Sequence, residues 1–186
     1  MSFICMIERN DVELLEMARN GDLSAFELLF KKHHQTALNI AFRIVGSVEA
    51  AEDIVMEAFL KIYSSGHKIK TDFNAYFYRI VVNKSLNFTR RNKRISTEID
   101  LDYLSSDSEN PLSEIINKDA AKEAFKALDS LPPAQKTAFI LLKYEELSYK
   151  EAADIMNISV KALESLMSRA KEKLRKYYFG AEKNEQ

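Results

Sequence analysis

With 186 residues, 46% of them hydrophobic and 30% charged, the chain can bury one good core or two small ones and is no disordered tail. Its formal net charge of -1 conceals a segregation: residues 1–66 hold ten acids against six bases, residues 79–94 six bases and no acid, and residues 95–117 six acids and no base. Cys5 alone can make no internal disulfide, His33, His34 and His67 supply no zinc set, and neither a membrane span nor a signal peptide is legible, which points to a cytoplasmic protein without metal or cofactor.

Four Gly and three Pro leave little turn chemistry for hairpins, whereas apolar residues recur at spacings of three and four in every long segment. The fold class is therefore all-α. Helices are predicted at 11–20, 23–44, 48–64 and 73–93, separated by Gly21-Asp22, Gly46-Ser47 and Ser65-Gly66. In the second, Phe26, Leu29, Phe30, His33, Ala37, Ile40 and Ala41 share one face, although the His33-His34 pair reads as solvated, since adjacent helical residues point about 100° apart. In VEAAEDIVMEAFLKIY, residues 48–63, the core stripe is Ala51, Val55, Ala58, Phe59 and Ile62. A second, mixed stripe of Asp53, Met56, Glu57 and Leu60 lies at i, i+3, i+4, i+7 on another side. Either the chain's own first helices cover it, the commoner fate of such stripes, or it docks a partner helix. The basic block RIVVNKSLNFTRRNKR is in turn either a phosphate-binding face or a solvated helix end that happens to be basic.

ISTEIDLDYLSSDSENPLSEI then interrupts the helical pattern with Ser, Asp and a Pro, so it reads as a flexible acidic linker between two small helical domains. Residues 95–117 number 23 and stretch to roughly 75–80 Å when fully extended. A second helical unit is predicted at 119–130, 133–145, 149–156 and 160–178, with Pro132-Pro133 placed to open its second helix. Within LSYKEAADIMNISVKALESLMSRAKEKLR, residues 147–175, Ser148 and Glu151 form a capping box, Asn157-Ile158-Ser159 is a tight turn, and Ser159 caps the next helix. Leu163, Met167, Ala170 and Leu174 make that helix's buried stripe while Lys161, Glu164, Ser165, Ser168 and Glu172 face away. This is helix-turn-helix geometry, with small Ala153 allowing close approach and the second helix offering its first half to a major groove.

Three segments together resemble one family. AAEDIVMEAFLKIY is similar to the region-two signature of bacterial RNA polymerase sigma factors, and FNAYFYRIVVNKSLNFTRRNKR to the promoter-melting and minus-ten-reading segment that follows it. LDSLPPAQKTAFILLKYEELSYKEAADIMNISVKALESLMSRAKEKLR resembles region four. Their order and spacing resemble the two-domain extracytoplasmic-function class of the sigma-70 family over about residues 10–178.

The resemblance implies a transcription initiation factor with region two at 1–94, a linker at 95–118 and region four at 119–186. It implies that Asp53, Met56, Glu57 and Leu60 bind the beta-prime clamp helices of core RNA polymerase, Met56 standing where Gln is usual. For the minus-ten element it implies cations on phosphates and flat or amide side chains on unpaired bases: Tyr76, Phe77, Tyr78, Arg79, Asn83, Lys84, Asn87, Arg90, Arg91, Lys93 and Arg94. Tyr76 replaces the family's usual Trp and Asn87 a common Asp. For the minus-thirty-five duplex it implies Ser159, Lys161, Ala162, Glu164, Ser165, Ser168, Arg169, Lys171 and Lys173, with Glu164 suited to a cytosine amino group. The implied partners are core polymerase at clamp and beta flap, promoter DNA, and an anti-sigma factor, the chain being monomeric when free. A helix-turn-helix regulator independent of polymerase would account for 119–178 but not for 48–94, and nothing resembling a catalytic triad or phosphate loop argues for an enzyme.

Overall fold

The computed structural model describes residues 9–65, 72–98 and 118–181, with side chains at 9–65, 72–92 and 123–179. Cys5, His67 and linker residues 99–117 lie outside the described residues, as do the side chains of Lys93 and Arg94. Among the described residues the elements are eight α-helices, and local capping chemistry sets their bounds. Asn10 accepts the Glu13 N–H at 2.9 Å to start Asp11–Arg19 (α1). Asp22 accepts from Ser24 and Ala25 to start Leu23–Val45 (α2), which ends on Gly46 at φ +80°, the left-handed backbone that a residue with a Cβ takes only at a cost. Ser47 caps Val48–Ser64 (α3), and Asp72 accepts the Asn74 N–H at 3.0 Å where Phe73–Glu98 (α4) begins.

α4 continues five residues past the expected end at 93, so the first part of the expected linker is helix. Nothing in Ile95-Ser96-Thr97-Glu98 stops a helix, since β-branched residues weaken one by only a few tenths of a kcal/mol each and no Gly or Pro intervenes. The second unit comprises Lys118–Asp129 (α5), Pro133–Lys143 (α6), Tyr149–Met156 (α7) and Val160–Ala181 (α8). Pro133 opens α6, and Ser148 and Glu151 close a capping box on α7 in which each side chain meets the other's backbone N–H. Asn157 then turns the chain at φ +55°, and Ser159 accepts the Ala162 N–H at 3.1 Å to begin α8.

The core stripes follow the periodicity. Ala51, Val55, Ala58, Phe59 and Ile62 are buried, together with Ile54, against Leu29, Ile40, Phe77 and Val81 from α2 and α4. Phe59 lies 4.6 Å from Phe77 and 5.0 Å from Phe30, ring centre to ring centre. Burying each such ring contributes about 1.5–3 kcal/mol. In the second unit Leu163 and Met167 are buried on the side of α8 that faces α6 and α7, Ala170 packs with Leu128 of α5 and Leu131, and Ala152 and Ala153 let α7 lie close. The two units are docked: the first core runs without a break into Ala138, Ile140, Leu141, Ile155 and Leu163, with α2 against α6 and α4 against α7.

Candidate nucleic-acid and partner interfaces

The second stripe of α3 stays outside this packing. Asp53, Met56, Glu57 and Leu60 are all exposed, Met56 by 50% and Leu60 by 58%, while their neighbours Ile54, Val55, Ala58 and Phe59 are buried. α1 and α2 pack against the other side of α3, so the explanation by internal burial fails. What remains is two carboxylates beside two half-exposed apolar side chains on one helical face. Exposed Glu57 is ion-paired with half-buried Lys84 of α4.

Along α4 the heptad-like succession Arg79, Asn83, Asn87, Arg90 and Arg91 stays on the outside, with Asn83, Asn87, Arg90 and Arg91 exposed and Tyr76, Arg79 and Lys84 half-buried. The opposite side, Phe73, Phe77, Val81 and Ser85, is core. Phe77 is the correction here: it is wholly buried among Phe59, Phe73 and His33, and no ring face is left for a base to stack on. Tyr78 is also buried, its hydroxyl 3.0 Å from His33 Nδ1 and its ring lining a cavity of about 70 Å³ that α4 shares with α7. Arg79 donates twice to the Asp154 carbonyl of α7, at 3.2 and 2.6 Å. The family resemblance took Tyr76, Phe77 and Tyr78 together; helical geometry leaves only Tyr76 of the three partly accessible.

In α8, Ser159, Lys161, Ala162, Glu164, Ser165, Ser168, Arg169, Lys171 and Lys173 are all exposed, and Leu163, Met167 and Ala170 hold the helix down from the other side. The Ser159 hydroxyl oxygen caps α8, which leaves its hydrogen free to donate outward. An exposed helix start carrying Lys and two Ser, seated on a short capped helix, has the shape that enters a major groove.

Residues 29–95 match Sigma-70 region 2, and residues 122–174 match Sigma-70, region 4. The ECF RNA polymerase sigma-E factor of Haemophilus influenzae is 31% identical over 177 residues, spanning 87% of this chain and 92% of the relative. The chain belongs to the sigma-70 family. Within it, the extracytoplasmic-function class fits, as the ECF in the name of the Haemophilus influenzae relative states, and RNA polymerase sigma-H factor of Pseudomonas aeruginosa is 27% identical across 92% of this chain and 95% of its own length. The fold agrees with CnrH in complex with the cytosolic domain of CnrY, at TM-score 0.67 and 24% identity over 91% of this chain and 97% of that one. It also agrees with the sigma factor RpoE of Bartonella quintana bound to the anti-sigma factor NepR, at TM-score 0.60 and 21% identity over 81% and 94%. The protein is thus an RNA polymerase-associated transcription initiation factor.

His33 of this sigma factor departs from the expectation drawn from its sequence. It is not solvated; it is buried, with Nε2 3.1 Å from Asp11 Oδ2 and Nδ1 3.0 Å from the Tyr78 hydroxyl, and Lys32 closes the set by donating to Asp11 Oδ1 at 2.7 Å. The neutral ring with its proton on Nε2 satisfies every partner, since Nε2–H donates to the carboxylate and Tyr78 O–H donates to Nδ1. His34 half-stacks on Phe30 instead. Among the described residues no group of three His, Cys, Asp or Glu side chains is placed to hold a metal. Burial lowers the His33 pKa below 6.5, outweighing the opposite pull of Asp11, and burial pushes Tyr78 up to about 12. A depressed folded pKa means that the unfolded chain binds the proton first. Stability from His33 is therefore full above about pH 6.5 and is lost as pH falls below that. Urea unfolding between about pH 7 and 5 should show this decline, and His33→Gln should flatten it; an unchanged slope in the variant would place the titrating group elsewhere.

Proposed function

We propose that this sigma factor binds core RNA polymerase through Asp53, Met56, Glu57 and Leu60 and delivers it to promoters read by α4 and α8. The carrying observation is the uncovered acidic and apolar face of α3, half-exposed beside a fully packed core stripe of the same helix. A chain that kept Met56 and Leu60 in water with no partner would bear that cost for nothing. On this reading the beta-prime clamp helices cover that face and the beta flap meets region four. Arg79, Lys84, Arg90 and Arg91, continued by Lys93 and Arg94, take minus-ten phosphates, while Tyr76, Asn83 and Asn87 take unpaired bases. Phe77 supports the helix from inside, and buried Tyr78 does the same through its hydrogen bond to His33. The exposed residues of α8 read the minus-thirty-five duplex. Division into 1–94, 95–118 and 119–186 follows, adjusted by the helical extension to Glu98.

The protein works in the cytoplasm as a non-catalytic subunit without cofactor, free as a monomer or paired with an anti-sigma factor; likeness in fold to a sigma factor held by NepR supports such a partner. None of the described helices is long and apolar enough to cross a membrane. The test is transcription with purified core polymerase on a promoter library. A sigma factor directs initiation to a subset of templates and binds duplex weakly alone, whereas an independent regulator binds duplex tightly without polymerase. In the same assay Lys161→Ala and Ser165→Ala should change the preferred upstream duplex, each by about 1–3 kcal/mol, and leave the downstream preference unmoved. Uniform loss on all templates would make them phosphate contacts instead.

A further inference from the structure

A helix that enters a major groove reads base edges with the side chains of its first turns, and those of α8 fall into two columns. Val160, Glu164 and Ser168, four residues apart, make one; Lys161, Ser165 and Arg169 make the other. All six are exposed, and buried Leu163, Met167 and Ala170 fix which side of the helix faces out. Val160 is 40% exposed directly after the Ser159 cap, so its two methyl groups stand at the leading edge of the helix. Among the described residues Glu164 takes part in no ion pair, although Lys161 lies one turn before it, so its carboxylate is free to accept. From Val160 to Met167 the only cation is Lys161 and there is no Arg; Arg169, Lys171 and Lys173 come later. The reading end of this helix therefore lacks the guanidinium fork that takes guanine, the commonest specific base contact.

We propose that Val160 and Glu164 read two neighbouring pyrimidines on one strand of the minus-thirty-five duplex, Val160 the 5-methyl group of a thymine and Glu164 the 4-amino group of a cytosine. This rests on the reading of α8 above and names the bases that α8 takes. The Val160 side chain can neither donate nor accept, and the thymine methyl is the one apolar feature that a major-groove edge offers. Set against an amino group or a carbonyl oxygen, the same methyls would strip its water and return no hydrogen bond. Glu164 selects in the complementary sense. Ionised, it only accepts, and the major-groove edges of guanine and thymine present acceptors alone, N7 and O6 in one and O4 in the other. Adenine offers an amino group but sets N7 beside it, against the second carboxylate oxygen, whereas cytosine offers its amino group with no such neighbour. One helical turn separates Val160 from Glu164 by about 6 Å along the axis, less than two base-pair rises of about 3.4 Å, so the two bases are adjacent or one apart. Arg169 and Lys171, farther along the helix, supply phosphate contacts that offset the charge of Glu164 near the backbone.

The experiment uses holoenzyme, made from core polymerase and the full chain, on the promoter that it prefers in the library and on the same duplex with deoxyuridine in place of each upstream thymine in turn. Deoxyuridine removes the methyl group and alters no hydrogen bond of the base pair. One such replacement should lower affinity about fourfold for the parent chain and leave Val160→Ala unaffected. Within two base pairs on the same strand, changing a cytosine to any other base should cost about tenfold or more, and Glu164→Gln, which donates as well as accepts, should raise the relative affinity for adenine there. Circular dichroism and an unaltered preference at the downstream element show that both variants are folded. A deoxyuridine effect of equal size in the parent and in Val160→Ala would mean that the methyl acts through duplex shape, and it overturns the contact. So does a preferred upstream element without neighbouring thymine and cytosine, one that no deoxyuridine changes, or a Glu164→Gln holoenzyme that keeps the parent's order of bases; the reading of α8 survives each of these. Failure of that reading looks different: the parent holoenzyme then shows no upstream preference at all, and the roles of Val160 and Glu164 fall with it.

Discussion

Reversing Asp53 and Glu57 to Lys together should lower affinity for core RNA polymerase by roughly 2–5 kcal/mol, about 30- to 5,000-fold, with thermal stability nearly unchanged. The asymmetry comes from where the side chains are. Both are exposed on α3, and neither contributes to the packing of Phe59 and Ile62 beneath. Their only described contribution to folding is the ion pair of exposed Glu57 with half-buried Lys84, worth about 1 kcal/mol. At a clamp interface, by contrast, the same carboxylates would be desolvated against cations of the partner, so reversal replaces attraction by repulsion where screening is weak. Binding measured by fluorescence anisotropy and melting measured by calorimetry separate the two effects. A variant that binds core polymerase with undiminished affinity removes α3 from the interface. One that unfolds returns the stripe to a structural role.

The exposure of that stripe was not legible in the sequence, and the reason is physical. Spacing says which residues share a helical face, but not whether another element lies over it; that depends on where α1 and α2 settle, which is decided by contacts far apart in the chain. Helix limits were readable, to within two residues at most ends, because Asn10, Asp22, Ser47, Ser148 and Ser159 and the left-handed Gly46 and Asn157 act on their immediate neighbours. The buried stripes at 51–62 and 163–170 were readable for the same reason. His33 was not, since its partners lie 22 and 45 residues away, and a histidine is equally at home in water until Asp11 and Tyr78 close over it. The contacts between the two units were further out of reach: Arg43 and Glu145 are 102 positions apart, and Lys136 reads as one more surface lysine until the end of α2 is found at its ammonium. Phe77 illustrates the converse error, in which a family segment taken as a block includes a position that the helix turns inward.

Replacing Arg90, Arg91, Lys93 and Arg94 by Gln should flatten the salt dependence of promoter binding by the holoenzyme, by up to about 0.9 log unit of slope for each phosphate no longer neutralised, or roughly 3.6 for all four. Arg90 and Arg91 are exposed near the end of a helix that carries no acid from Arg79 through Arg94, and the sequence continues the same charge through Lys93 and Arg94. Counterion release depends on charge alone, so the weakening should fall on all promoters alike. Tyr76→Ala and Asn83→Ala act on a later step. Half-buried Tyr76 and exposed Asn83 carry no charge, so closed-complex affinity and its salt slope should stay near normal. Strand opening should drop, because an unstacked base is deprived of a ring worth about 1–3 kcal/mol and of an amide partner beside it. Permanganate reactivity of promoter thymines reads this directly, and a template premelted at the minus-ten element should rescue both variants. Two results would overturn the division of labour along α4. A salt slope unchanged after the four replacements would mean that the cations do not face DNA. Failure of premelted DNA to rescue Tyr76→Ala would mean that its ring holds the helix in place, as Phe77 does, and never meets a base.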